Sequence, residues 1–426
     1  MKILEYSQTG RDQILSRSYT SADVEGPVRE IVENVAANGD AAVRELTLRF
    51  DRVDIKDFLV TDEEMEQALS EVGDDFIGIM ERAASNIRKF HEKQLRSGFI
   101  INDEDGILMG QKVIPVDSAG LYVPGGTAAY PSTVLMDSVP AKIAGVKNVI
   151  MCTPPGRDGK INPYILAAAH VAGIDRIYKV GGAQAIAAMA YGTESIPKVD
   201  KIVGPGNAYV AEAKKQVFGM VSIDMIAGPS EILIVADGSS DPAFVASDLL
   251  SQAEHDVLAS AVLITDSPEL AQKVSLEVDR QLASLPRREI ASASIENNGK
   301  IIVCDSISQA VEVANDIAPE HLELSVEDPF DYLDKIRHAG SVFIGRYAPE
   351  PLGDYFSGAN HTLPTGGTAR FSSPLSVDDF VKKLQYTYYT KDALAKVGED
   401  IARFARKEGL DAHARSIEMR MGEEDK

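Results

Sequence analysis

The sequence predicts an α/β protein with mostly parallel sheets, arranged as two related sheet domains. From about Ile101 onward, short apolar runs such as "KNVIMCTPP", "EILIVAD", "SAVLITD", "GKIIVCD" and "GSVFIG" alternate with helical stretches, as in parallel-sheet proteins. Two segments, "DRIYKVGGAQAIAAMAYG" and "DKIVGPGNAYVAEAKKQVFG", repeat one arrangement of strand, glycine turn and helix. Of the 426 residues, 44% are apolar and 25% charged, the balance of a water-soluble globular chain with a sizeable core.

The first hundred residues read as helical. "EGPVREIVENVAANGDAAVRELTLRFD" repeats its apolar positions at three and four, with Gly39 marking a break between two helices. "EEMEQALSEVGDDFIGIMERAASNIRKFHEKQ" continues in that manner, with His91 expected in solvent at its charged end. "AGLYVPGG" is a strand ending in paired glycines, and "NPYILAAAHVAG" a helix closed by Gly173, with His170 on its apolar face. Asp241 and Pro242 open a helix as N-cap and first helical residue. His338 in "DKIRHAG" lies near a helix C-terminus, where it opposes the dipole. After Pro374 the pattern "VDDFVKKLQYTYYT", "KDALAKVGEDIARFARKEG" and "LDAHARSIEMRM" reads as a helical tail that packs on something else, such as a second subunit.

The net charge of −22 repels nucleic-acid phosphates and so argues against such a partner. An anionic cofactor is still compatible with it, because helix N-termini bind phosphate locally. No basic and apolar leader opens the chain and no apolar run reaches membrane-spanning length, which points to a cytoplasmic protein. Cys152 and Cys304 sit in apolar runs as core thiols, too few for a disulfide framework or a thiolate zinc site.

Chemistry concentrates in a few places. The turns "VGGAQAIAA" and "VGPGNAYVAEA" present backbone N–H groups at helix starts, as structural turns or as a phosphate cradle. Gly204 and Gly206 match the first two glycines of the dinucleotide fingerprint, but Tyr209 stands where the third belongs. Asp224 falls near the offset of a ribose-binding acid. Gln252 and His255 are three apart and share a helix face. The long irregular stretch "EPLGDYFSGANHTLPTGGTARFSSPLSV" carries Asp354 and His361, and the tail supplies Glu408 and His413. Gln252, His255, Asp354 and His413 would make a nitrogen and oxygen set suited to zinc, although spacing alone leaves their convergence open. In "DIAPEHLELS", Glu320 and His321 stand side by side at a helix-to-strand boundary, as a proton-transfer pair or a solvated turn.

These motifs resemble the histidinol dehydrogenase family. The matching segments are "GLYVPGGTAAYPSTVLM", "KVGGAQAIAAMAYGT", "VGPGNAYVAEAK", "DMIAGPSEILIVAD", "LLSQAEHD", "APEHLEL", "GDYFSGANHTLPTGGTARFSSPLSV" and "EGLDAHARSI", in order from about residue 115 to the end. The resemblance implies oxidation of L-histidinol to L-histidine through an enzyme-bound aldehyde, with NAD as oxidant and one zinc per subunit. It implies zinc ligands Gln252, His255, Asp354 and His413, and catalytic Glu320 and His321. Ser230, His321, His361 and Glu408, together with the metal ligands, fall at substrate-contact positions, and Tyr122, Gln184 and Asn207 at NAD contacts. It also implies two incomplete Rossmann-like domains with helical N-terminal and C-terminal appendages, exchanged in a homodimer with shared active sites. The expected division is an arm at 1–20, a first α/β domain at 21–121 plus 233–375, a second on the NAD side at 122–232, and a helical tail at 376–426. Rival readings are a metal-dependent hydrolase, a non-catalytic metabolite-binding protein, and a related dehydrogenase for another amino alcohol or a sulfonate.

Overall fold

The computed structural model describes residues 1–17, 24–125, 130–174 and 176–422. The arm boundary expected at residue 20 and the second glycine of "YVPGG" lie outside them. The chain forms two units, one of Met1–Gln94 with Val116–Phe380, the other of Leu95–Pro115 with Val381–Lys426.

The first unit contains two fully parallel sheets. With strands numbered along the chain, they use β1 (Lys2–Glu5), β4 (Ser118–Tyr122), β5 (Asn148–Thr153), β6 (Arg176–Lys179), β7 (Lys201–Val203), β8 (Ser222–Ile223), β9 (Glu231–Ala236), β10 (Ser260–Thr265), β11 (Lys300–Val303), β12 (His321–Ser325) and β13 (Ser341–Ile344). The six-stranded sheet runs β1-β11-β10-β9-β12-β13 and the five-stranded sheet β6-β5-β4-β7-β8. Helices cover both faces of such sheets, so central strands have no solvent side and read as unbroken apolar runs. All six residues of β9 are buried accordingly.

Two sequence expectations are met by specific geometry. The helical segment Glu25–Phe50 breaks at Gly39, which takes φ 52° and ψ −133°; an added Cβ there would strike the Glu194 carboxylate. The helix Pro242–Ala253 starts as expected, with Asp241 Oδ1 accepting from the Ala243 N–H at 2.8 Å.

Other expectations are corrected. Strand β1 extends the edge of the six-stranded sheet beside β11, so the first residues are part of a sheet. Strand β4 sits at the centre of the five-stranded sheet, and the helices Glu25–Phe50, Asp62–Val72 and Asp74–His91 pack on that sheet's helices. The sheets therefore do not divide at 121/122. The alanine-rich helix Gly182–Tyr191 explains this packing, because its small side chains let the long helix approach on one side and the sheet on the other. His91 is buried with Nδ1 2.9 Å from the Ile87 carbonyl oxygen, rather than solvated, and His170 is exposed rather than in the core.

The second unit is not purely helical. It pairs β2 (Phe99–Ile101), β3 (Ile107–Pro115) and β14 (Val381–Tyr389) into an antiparallel sheet, with Val381 opposite Pro115 and Tyr389 opposite Ile107. The stretch read as helix, "VKKLQYTYY", is β14. Its aromatic and β-branched residues fit a pleated surface better than a helix. The two expected tail helices, Lys391–Lys407 and Asp411–Met421, form a hairpin closed by buried Ala402, Ala405 and Ala414. Among the described residues no helix is long and apolar enough to cross a membrane.

Candidate active site

The helix Ile307–Ile317 ends at Ala318, which adopts a left-handed conformation (φ 52°, ψ 63°) and is fully buried. For a residue with a Cβ this costs about 1 kcal/mol, which the surrounding packing must supply. Pro319 follows, and the chain turns directly into β12. Glu320 and His321 thereby stand buried at the start of β12, beside the start of β9 in parallel register.

Two hydrogen bonds fix the pair. Glu320 Oε2 accepts from the Glu231 N–H at 2.8 Å, and His321 Nδ1 lies 3.0 Å from the Glu231 carbonyl oxygen. A carbonyl only accepts, so Nδ1 carries the proton and Nε2 of the neutral ring has a free lone pair. That Nε2 faces Glu350 Oε1 at 3.5 Å. One donor atom each from His321, Glu350 and Asp354 lies within 4.8 Å of the others.

Burial drives these groups apart electrostatically. It pushes Glu320 well above the carboxylate range; the Glu231 N–H opposes this, while the charges of Glu231 and Asp354 add to it. Burial lowers His321 to about 4, against the attraction of Asp354, so the ring is neutral near pH 7 and less basic than free imidazole. Glu350 is raised to about 10 by burial and by the charge of Asp354, and so keeps its proton. Burial acts to raise Asp354 too, but the bond to His361 and the charges of His361, His321 and His255 hold it at about 2. His361 sits with Nδ1 3.4 Å from Asp354 Oδ1 and Nε2 3.2 Å from Thr133 Oγ1.

Gln252 is in the last turn of its helix, buried, and its Oε1 has no hydrogen-bond partner among the described residues. His255 lies just beyond that helix, which ends at Ala253, so the shared helix face becomes a helix end. Its N–H donates to the Gln252 carbonyl at 3.2 Å. Ser230, half-buried, immediately precedes β9. Glu408 and His413 belong to the second unit, as the C-cap of one tail helix and an exposed residue of the other.

The glycine turns lie at the C-terminal edge of the five-stranded sheet, where parallel sheets bind ligands. Tyr122 ends β4, and its hydroxyl accepts the Gly182 N–H at 3.0 Å beside buried Gln184. Asn207 caps the helix Ala208–Val217, accepting from Tyr209 and Val210 at 3.0 and 3.2 Å. Asp224 is not available for a ribose. It is buried against Lys214 and accepts from the Gly204 N–H at 2.8 Å, while Lys214 Nζ donates to the Gly204 carbonyl at 2.9 Å. The offset from the glycines suits an acid, but buried Lys214 of the helix Ala208–Val217 takes the carboxylate.

Sequence reasoning missed Glu231, Asp137 and Glu350. Glu350 had a signal, since it precedes Asp354 by four and shares a face of the helix Glu350–Tyr355. Asp137 is an acid inside the apolar helix Pro131–Ala144; it is buried, accepting from Thr362 Oγ1 at 3.0 Å through Oδ1, with no partner for Oδ2 among the described residues.

The profile of the family described as histidinol dehydrogenase matches residues 15–421. The chain is 56% identical over 400 residues to the histidinol dehydrogenase of Clostridium acetobutylicum, covering 94% of this chain and 93% of that one. It is 56% identical over 393 residues to that of Bacillus subtilis, covering 92% of each. The crystal structure of histidinol dehydrogenase from Elizabethkingia anophelis superposes with a TM-score of 0.93 at 42% identity, covering 99% of this chain and 98% of that one. The chain belongs to the histidinol dehydrogenase family and is an oxidoreductase.

Asp137 gives a test of the electrostatics. Burial first, and then the charge of Asp224, raise it to about 7. A carboxyl whose folded pKa is raised contributes stability fully present below its unfolded pKa and lost as pH rises through the folded one. Asp137→Asn removes that titration while still accepting the Thr362 bond. Its stability relative to the parent should therefore rise by roughly 2–3 kcal/mol from about pH 5 to about pH 8 and then level off. Urea unfolding across that range checks this, and a pH-independent difference would contradict it.

Proposed function

We propose that this member of the histidinol dehydrogenase family oxidises L-histidinol to L-histidine in two NAD-linked steps through an enzyme-held aldehyde, as a zinc-dependent cytoplasmic homodimer. The observation that carries the reading is the Glu320–His321 pair, whose tautomer is set by Glu231 so that a buried Nε2 lone pair faces the acid cluster.

The donor set fits zinc. Gln252 Oε1 is a buried oxygen without a partner among the described residues, a state that costs about 1–3 kcal/mol unless something fills it. An amide oxygen, imidazoles and a carboxylate are ligands zinc accepts, and Gln252, His255 and Asp354, with His413, would hold it. Exposed His413 and Glu408 would come from the second unit of a partner copy. For NAD, Tyr122, Gln184 and Asn207 stand at the sheet edge that favours nucleotide binding, although Asp224 supplies no ribose contact there. When bound, zinc would anchor the imidazole and amino groups of the substrate and NAD would accept the hydride of each oxidation.

His321 then removes the alcohol proton at Nε2, its ring held by the Nδ1–H bond to Glu231. Glu320, once ionised, is a stronger base than an ordinary carboxylate because burial raises its pKa, and it activates the water that adds to the aldehyde. His321, having passed its first proton to water, takes the proton of the resulting hydrate in the second oxidation. Ser230, His361 and Glu408 would complete the substrate contacts. A thioester route is disfavoured, because Cys152 and Cys304 are buried and their thiols are pushed upward by that burial.

Three variants test these roles. His321→Gln should lower turnover of both L-histidinol and the aldehyde by on the order of 10²–10⁴, the usual worth of a general base. Glu320→Gln should act mainly on the aldehyde stage. Equal turnover by His321→Gln and the parent would contradict the assignment. A chain ending at Thr390 should lose zinc, by metal analysis, together with activity; full zinc content in that truncation would refute the role given to His413.

A further inference from the structure

We propose that Arg17 is a positioning residue for the Glu320–His321 pair, gripping at once the strand start and the helix end between which that pair is suspended. Arg17 Nε lies 2.6 Å from Glu231 Oε1, and its Nη2 donates to Glu231 Oε2 at 3.2 Å, a two-point contact with a buried carboxylate. The same Nη2 donates to the Ile317 carbonyl at 2.6 Å.

These two anchors flank the catalytic pair from both directions. Glu231 supplies the N–H that holds Glu320 and the carbonyl that holds His321. Ile317 is the last residue of its helix, directly before left-handed Ala318 and Pro319. One guanidinium thus sets the distance between the segment that delivers the pair and the peptide group that orients it.

The surroundings hold Arg17 in place. Buried Lys300 donates through Nζ to the Ile14 and Ser16 carbonyls, each at 2.8 Å, fixing the backbone just before Arg17. The neighbouring helix-end carbonyls of Asn315 and Asp316 are taken by Arg370 at 3.1 and 2.7 Å, so Arg17 completes the capping of that helix end. Arg11, in contrast, makes an exposed pair with Asp316, with side chains 70% and 41% accessible.

A bond that only held the fold together would alter stability and leave the chemistry of each folded molecule unchanged. A positioning bond would alter kcat, because a small misplacement of a reacting group costs on the order of 10²-fold in rate. The inference rests on the catalytic reading of Glu320 and His321, so the parent protein is assayed alongside. Full-length zinc-loaded Arg17→Met, Arg17→Lys and Arg11→Met are compared with it in L-histidinol oxidation at saturating NAD, per folded molecule.

Arg17→Met should lose kcat by roughly 10²-fold with KM changed by less than about threefold. Arg17→Lys should regain about tenfold of that loss, since one donor of the fork is restored. Arg11→Met should match the parent. Unchanged kcat in Arg17→Met, or a rise in KM alone, overturns the proposal. If Arg17→Met does not fold, Arg17→Lys decides: a kcat reduced by about tenfold at constant KM supports positioning, and parental kcat overturns it. Failure of the parent itself to oxidise L-histidinol would instead overturn the reading of the site.

Discussion

A single peptide position, Glu231 at the start of β9, governs the candidate active site. Its N–H holds the Glu320 carboxylate and its carbonyl holds the His321 ring, so two side chains of opposite chemistry are locked to one rigid strand. Parallel pairing of β9 with β12 brings them there, because His321 falls opposite Ile232 in the register. Residues on central strands of a covered sheet move little, which suits groups that must meet a reacting atom within a fraction of an ångström. The left-handed turn at Ala318 is the local cost of delivering the pair from a helix into that strand.

Burial is the second constraint, and it sorts the titratable groups by role. The same desolvation that raises Glu320 and Glu350 lowers His321, leaving a neutral imidazole among protonated or hydrogen-bonded acids. Asp354 stays ionised, because the bond to His361 and the neighbouring histidines outweigh its burial. Environment rather than residue type therefore separates the carboxyls that keep their protons from the one that stays charged. Gln252 adds to this a buried oxygen that finds no hydrogen-bond partner among the described residues, an arrangement that costs free energy on its own.

Much of the first unit was legible because its strands are covered on both faces and read as unbroken apolar runs such as "EILIVA". Gly39 and Asp241 were readable for a similar reason, since each answers a local backbone demand. What failed was non-local. Whether "VKKLQYTYY" is helix or strand depends on its partner β3, far back in the chain, and His91 is buried by a contact segment near Asn360 that no local pattern announces. Asp224 matched a spacing rule, yet Lys214 claims its carboxylate. Glu320 and His321 were named from sequence, but Glu231, which orients them through its backbone, leaves no side-chain motif to recognise.

The most direct test of the account is the ratio of NADH formed to L-histidinol consumed by the purified protein. Passage from alcohol through a retained aldehyde to the acid, with His321 serving both oxidations and Glu320 the hydration between them, predicts a ratio of two. A ratio of one would mean release at the aldehyde and would contradict the water-activating role of Glu320. No NADH from zinc-loaded protein would contradict the catalytic reading as a whole.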